Sequence, residues 1–514
     1  MIMRYNLVVG KVAEWSKAHD WKSCRVNSPP GFESLPFRRF LNVQRLEIPP
    51  RSALVLAACA LLVLAFAPAQ YFARQQDDAM YLIGARALTG GRYCLLTSPG
   101  CPPLTSIDPG WSLMLAPLAA LTDRPGPFQA LSALLLALAP AALWLWLRRR
   151  ADETTALLAA ALLASSPLLL AQSGAVMSEI PYTLLLLAAL AAAESRRAGR
   201  AGALGAALVL TRTAGLAVLP GVLLPFLRKP RRALAAAALP PAAAAASWWL
   251  WCVSRAGAVG KFALLPSTYH PRAWLKPLTV AAANASFYAG ELGGSFLPPR
   301  LASGAAAAVL GAAFFAAAAR GLARSLRRRS DDPAAWALLG SVLLLAVWGW
   351  QYERYLLPVL PLLLWAAAEG LGRAAKPALG VLLAAQLVCQ TLPRLGRPSP
   401  WAEPELARTY AWLAERPRPA LLSSAEPVRD GWLSGLPNTS LPLAADAPAF
   451  AAALKSMKVG YVLRADGLDY GLQADPEATL RRSVEASARF LDDPLYFRKA
   501  HEEPSERAAV YVPL

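Results

Sequence analysis

Stretches of about 20 apolar residues recur along this chain, each long enough to cross the hydrocarbon core of a bilayer. No other feature narrows the possible folds as much. "ALVLAACALLVLAFAPAQYFA" (53–73) is the first, and "AAAVLGAAFFAAAA" and "LLGSVLLLAVWGW" lie in later ones. Buried helices of soluble proteins are apolar too, but rarely so numerous or so uniformly rich in Ala and Leu. The 514 residues are 56% hydrophobic and only 17% charged. A formal charge of +19 would suggest nucleic acid in a soluble protein. Here the basic residues gather in short segments between apolar runs: "RRR" (148–150), "ESRRAGR" (194–200), "RKPRR" (228–232) and "RSLRRRS" (324–330). That is the positive-inside pattern of cytoplasmic loops, and it argues against a nucleic-acid partner.

Residues 1–40 stand apart. They have no apolar periodicity and no signal-peptide architecture. Back-translation offers an origin: "VAEWSKA" reads from the D-arm of a class II transfer RNA gene, "HDWKSC" from a self-complementary anticodon arm, and "GFES" from the T-loop. Three such pieces in order lead us to expect that Met1–Arg39 is a transfer RNA gene read as protein, with coding sequence starting near residues 41–52. An ordinary disordered cytoplasmic tail is the alternative, and the genomic DNA distinguishes the two.

With the Arg clusters held in the cytoplasm, the expected architecture is a polytopic α-helical membrane protein of about 11 transmembrane helices over residues 50–394. The expected spans are 53–72, 127–147, 154–171, 180–193, 202–217, 217–228, 233–253, 300–320, 333–349, 355–369 and 375–392. "PGWSLMLAPLAALT" (109–122) is short and Pro-bounded, and reads as interfacial or re-entrant. This count sends "QQDDAMY", "MSEIPY", a loop over 254–299, "QYERY" and everything after about residue 395 to the external face. Residues 395–514 mix polar and apolar character. They contain helical spacing in "PELARTYAWLAERP" and strand-like runs in "ALLSSAE", "GYVLRAD" and "AVYVPL", so a small C-terminal extracytoplasmic α/β domain is expected there. It shows no nucleophile–base pair, which leaves acceptor docking or structural support as its role.

Nearly all unpaired acidic and polar constellations thus fall on one membrane face, and such groups usually mark a substrate site. Asp77-Asp78-x-x-Tyr81, followed by Ala85, Leu88 and Gly90-Gly91, resembles the first external loop of the glycosyltransferase C superfamily. Members of that superfamily use polyprenyl-phosphate sugars, as in the protein O-mannosyltransferases and the aminoarabinose transferases. "CPPLTSIDPGWSLMLAPLAAL", "MSEIPYTLLLLAAL", "LTRTAGLAVLP" and "ERYLLPVLPLLLW" are similar to further stations of the family in the same order, over about residues 50–395. The resemblance implies a glycosyltransferase of the bacterial inner membrane. It would move a hexose or pentose from a polyprenyl-phosphate donor to an extracytoplasmic lipid, glycan or protein.

Such transfer needs a base for the acceptor proton and stabilisation of the departing lipid phosphate. A carboxylate with a raised pKa, beside a second carboxylate in a dry surround, suits the first task. The family's first acidic position is its proposed base, which carries onto Asp77, with Asp78 as partner. A helix places Asp77 and Tyr81 on one face. The alternative is a helix cap that happens to hold two Asp. Arg354, with Tyr355 beside it, is implied as a clamp on the lipid phosphate; a snorkelling interfacial Arg paired with Glu353 is the other reading. Arg212 lies inside an apolar stretch and needs a partner, for which Glu179 is the candidate, in a structural or substrate-binding role. Asp78 where Glu is common, and "RTA" where Arg or Lys precedes Pro or Gly, leave the subfamily open.

The His residues, His19, His270 and His501, are too scattered for a zinc site. No metal ligand is assigned, although a divalent cation on Asp77 and Asp78 stays possible within the superfamily. Among six cysteines, Cys94 and Cys101 share one external loop, an oxidising location, and Pro99-Gly100 can turn the chain between them. A disulfide is expected, with two unrelated thiols as the alternative. The rival from another functional class is a transporter or lipid flippase, whose sites belong at the bilayer midplane in repeated, broken helices. No such repeat is visible. A catalytically silent scaffold for the external domain is the third reading.

Overall fold

The computed structural model describes residues 48–67, 69–256, 276–399, 401–417, 420–442, 444–466, 472–473 and 489–514. The expectations for residues 1–40 and for His270 lie outside them. From Pro50 to Gln386 helices dominate: α1 (Pro50–Ala65), α2 (Gln76–Thr89), α3 (Pro109–Ala119), α4 (Gly126–Leu147), α5 (Glu153–Ser165), α6 (Glu179–Glu194), α7 (Ala198–Thr211) and α8 (Gly215–Leu223) come first. They are followed by α9 (Arg231–Ala256), α10 (Lys276–Gly294), α11 (Ala305–Arg328), α12 (Pro333–Val347), α13 (Leu360–Leu371) and α14 (Ala375–Gln386).

Among the described residues, four helical stretches are long and apolar enough to cross a membrane: Gly126–Leu147, Arg231–Arg255, Ala305–Arg328 and Leu360–Arg394. Five other apolar helices run 10–17 residues. The difference from eleven continuous spans lies in breaks. The run 154–171 is interrupted at Ser166, where Pro167 cannot extend the preceding ladder. The runs 202–217 and 217–228 become α7 and α8, and Arg212 sits between them in extended backbone (φ −153°, ψ 137°). The last long stretch bends at Gly372, whose φ of +60° suits a residue without Cβ.

Two expectations need correction. The span placed at 300–320 starts at Ala305 and runs to Arg328, so much of the basic "RSLRRRS" segment is helix. Arg327 and Arg328 occupy its last turn, where cations suit the macrodipole. The supposed loop 254–299 contains a 19-residue helix, α10. Its Asn284 side chain is buried and donates to the carbonyls of Leu345, Ala346 and Trp348 at the C-terminal end of α12. Helix α10 packs closely on α11; a Cβ on Gly311 would run into the Ala289 carbonyl.

Beyond Trp401 the chain forms α15 (Ala407–Ala414), α16 (Pro427–Ser434) and α17 (Ala447–Ser456). With them go strands β2 (Leu421–Ser424), β3 (Asn438–Ser440), β4 (Val459–Ala465), β6 (Phe497–Glu503) and β7 (Ala508–Pro513). The sheet order is β3-β2-β4-β7-β6; the first three strands are parallel and the last two antiparallel to their neighbours. Alternation along the strands feeds two apolar clusters. Leu422, Leu463 and Val510 meet Tyr410 and Leu413 on one face, and Val462, Ala509 and Tyr511 meet Phe450 and Leu454 on the other. A short ribbon also joins β1 (Trp350–Gln351), just before Arg354, antiparallel to β5 (Leu472–Gln473).

Cys94 and Cys101 are joined by a disulfide, with Cα atoms 5.4 Å apart. The turn it closes touches the sheet: Asn438 N–H donates to the Thr97 carbonyl (3.0 Å), and the Ser98 hydroxyl donates to the Asn438 carbonyl (3.0 Å). Replacing both cysteines by serine is expected to lower stability by about 2 kcal/mol, the loop being short. In protein taken from the native membrane, mass spectrometry should find both positions protected from alkylation until reduction. Free thiols at both would reject the bridge and weaken the external assignment of this loop.

Candidate active site

The site begins at the N-terminus of α2, where Gln75, Asp77 and Asp78 lead into the helix. Carboxylates suit that end of a helix, but no side chain caps it, so the two Asp are not held as caps. The next turn brings Tyr81 under Asp77. Tyr81 is buried and donates to Ser178 Oγ at 2.6 Å. Ser178 also accepts from Arg212 Nη1 at 2.8 Å, and Arg212 pairs with Glu179 Oε2 at 2.7 Å. Arg212 can reach down to this point because the chain is extended there, between α7 and α8. Asp108 holds that break open, accepting from the Thr213 amide at 2.6 Å and from its hydroxyl at 2.9 Å.

Arg354 closes the cluster from the segment between α12 and α13. Its guanidinium meets Asp77 Oδ2 at 2.9 Å and Glu179 Oε1 at 3.5 Å, and donates to the Gln75 side chain. It also lies 4.5 Å over the Tyr352 ring. Its partners are therefore Asp77 and Glu179, in place of the Glu353 pairing that a snorkelling arginine would make. Tyr355 sits between the two guanidiniums, 5.6 Å from each. The carboxyl of Glu179, with a side chain 0% exposed, is thus bracketed by both arginines. Asp77 is 26% exposed and Asp78 is fully buried.

The Val176 amide lies near Asp78, yet neither carboxyl oxygen accepts a hydrogen bond of normal geometry. Burial pushes its pKa well above the usual carboxylate range; Arg354 pulls the other way, and Asp77 and Glu179 add to the rise. Two guanidiniums thus face the carboxyls of Asp77 and Glu179. Beside them lies a cavity of about 280 Å³, lined by Arg212, Tyr81 and Tyr355 at its polar end and by Leu344, Trp348 and Val359 elsewhere. The arrangement joins an apolar slot, two cations and one solvent-touching carboxylate.

No family model matches the sequence, and no curated protein matches it by sequence. Solved structures do match. ArnT from Cupriavidus metallidurans, in a crystal structure with undecaprenyl phosphate, aligns with a TM-score of 0.56 at 12% identity. The match covers 90% of this chain and 98% of that one. The chain has the glycosyltransferase C fold. The oligosaccharyltransferase AglB from Archaeoglobus fulgidus, in complex with an inhibitory peptide and a dolichol-phosphate, aligns at 0.51 with 14% identity, covering 80% of this chain and 69% of that one.

On this glycosyltransferase C scaffold, Asp77, Asp78, Tyr81, Glu179, Arg212, Arg354 and Tyr355 form one connected cluster. Sequence reasoning missed four contributors. Gln75, Ser178 and Asp108 are polar supports that stand in the quoted motifs, but their partners lie far along the chain. Glu426, from the far C-terminal part of the chain, gave no signal. Asp77 and Glu179 direct oxygens at guanidiniums, and among the described residues no three His, Cys, Asp or Glu side chains gather as a donor set.

Proposed function

We propose that this chain is a glycosyltransferase of the bacterial inner membrane, moving a sugar from a polyprenyl phosphate to a hydroxyl-bearing lipid, glycan or protein on the extracytoplasmic side. The observation that carries the reading is the apolar cavity ending at Arg212 and Tyr355, with Arg354 and Asp77 on the far side of Glu179. The cavity suits the first isoprene units of a lipid, and the Arg212 guanidinium at its polar end suits a phosphate. The polyprenyl-linked ligands of ArnT and AglB support the same donor class. About 11 crossings, with the C-terminal sheet outside, keep the Arg clusters in the cytoplasm and this site at the outer surface.

In the reaction the acceptor oxygen bonds to the anomeric carbon of the sugar and its proton passes to Asp77. The bond from the anomeric carbon to the phosphate oxygen breaks, and the electron pair leaves on the polyprenyl phosphate. Arg354 stabilises that leaving group, and Arg212 and Tyr355 border its path. Arg354→Lys should reduce donor use on the order of tenfold, because a point charge cannot replace a planar two-pronged contact. Acceptor affinity should change little. Full donor turnover in the lysine variant would remove the clamp role. The test of the whole reading is mass spectrometric profiling of envelope glycolipids and glycoproteins in a deletion strain. One glycan should disappear and return on complementation. A deletion that leaves every glycan intact would return the protein to the transporter or flippase class.

A further inference from the structure

Helix α16 is seated on α2 by its own apolar face. Val428 joins the cluster of Phe72, Met80 and Ile83, and Trp432 stacks edge-on to Phe72 at 5.2 Å. The Val428 amide donates to Gln76 Oε1 at 3.1 Å. This contact brings Glu426, the residue before Pro427, to the Asp77 end of α2. Its neighbours on the helix are already engaged: Arg429 pairs with Asp430 at 3.0 Å, and Tyr410 donates to Asp430 at 2.7 Å. Glu426 does not cap its own helix. Its side chain makes no hydrogen bond or ion pair among the described residues, and it stays half-buried. The charged and titratable groups facing it are Arg429 and Asp430 on α16, Asp77 on α2, and Arg354 and Tyr352 on the segment before α13. Asp78 and Glu179 are sealed from solvent, whereas Asp77 and Glu426 are partly open to it.

We infer that Glu426, carried in by the C-terminal part of the chain, is a second acid–base group that takes the acceptor's proton on from Asp77 and hands it to bulk water. The inference rests on the transferase reading above and adds a proton exit to it. The step is a bare proton transfer: Asp77 returns to its ionised form, Glu426 is protonated, and a water or buffer base removes the proton from Glu426 before the next turnover. The charge state of Glu426 suits the task. Burial pushes its carboxyl up to about 7; Arg429 opposes, Asp430 and Asp77 add, and Arg354 opposes. A group in that range can both accept and release a proton near neutral pH.

The experiment uses spheroplasts of a deletion strain carrying the full-length wild-type, Glu426→Gln or Glu426→Asp protein at matched levels. The product is the glycan lost on deletion, followed by mass spectrometry between about pH 5.5 and 8.5, with and without imidazole as a mobile proton acceptor. The wild-type rate should rise through about pH 7. Glu426→Gln should be slower on the order of tenfold, below the effect of losing a primary base, with the rise through neutrality gone. Imidazole should restore the Gln variant and leave the wild type unchanged, and Glu426→Asp should recover part of the rate. A Gln variant with the wild-type pH profile and no response to imidazole would overturn the relay while leaving the transferase reading intact. A strain that loses no glycan on deletion overturns both.

Discussion

Asp77→Asn is expected to lower transfer by about 10²–10⁴, the range for loss of a positioned acid–base group. The carboxamide keeps the shape of the side chain and can still accept from Arg354, which meets Asp77 at 2.9 Å, but it cannot take up a proton. Expression and detergent stability should stay near wild type, because Asp77 is partly exposed and its packing is unchanged. The measurement is glycan formed per unit of membrane protein in the complemented deletion strain. Near-wild-type turnover would remove Asp77 from the mechanism and leave Asp78 or Glu426 as the proton acceptor.

A second large effect is structural. Glu179 is buried between Arg212 at 2.7 Å and Arg354 at 3.5 Å, so Glu179→Gln leaves two guanidiniums without their shared counter-charge. Breaking a buried pair by removing one partner costs about 3–5 kcal/mol. Here the cost should appear as a markedly lower unfolding temperature in detergent, together with loss of transfer. Ser178→Ala is the control: it removes a hydroxyl that Tyr81 and Arg212 share and should cost only about 1 kcal/mol. If Glu179→Gln is as stable as wild type, the two arginines have another anion in the resting protein.

What could be read in the sequence was local. Asp77 and Tyr81 share a helix face because four residues separate them, and an arginine in an apolar stretch required an acid that Glu179 supplies. Helix α6 and strands β2, β4 and β7 carry regular apolar patterns and lie where the patterns put them. The contacts that build the site are long-range. Arg354 meets Asp77 across 277 positions, and nothing near either residue announces the other. Glu426 sits in "AEPVRD", which reads as an ordinary helix start; its relevance comes only from the seating of α16 on α2. Helix α10 was hidden by polar residues whose partners lie on another helix, and β6, "FRKAHEE", was hidden by its charges.

The turn closed by Cys94 and Cys101 has a consequence for solubility. Among the described residues, the first and last strands of the order β3-β2-β4-β7-β6 each have one side without a sheet neighbour. Open strand edges invite pairing with another chain, and natural proteins blunt them with charge or cover them. Strand β6 uses charge: Arg498, Lys499, Glu502 and Glu503 lie along it. Strand β3, only Asn438–Ser440, has little of its own, and the disulfide-bonded turn occupies the Asn438 amide and carbonyl through Thr97 and Ser98. The turn that the bridge closes therefore also covers part of a strand edge, the usual protection against pairing with another chain, and reducing the bridge is expected to loosen that cover.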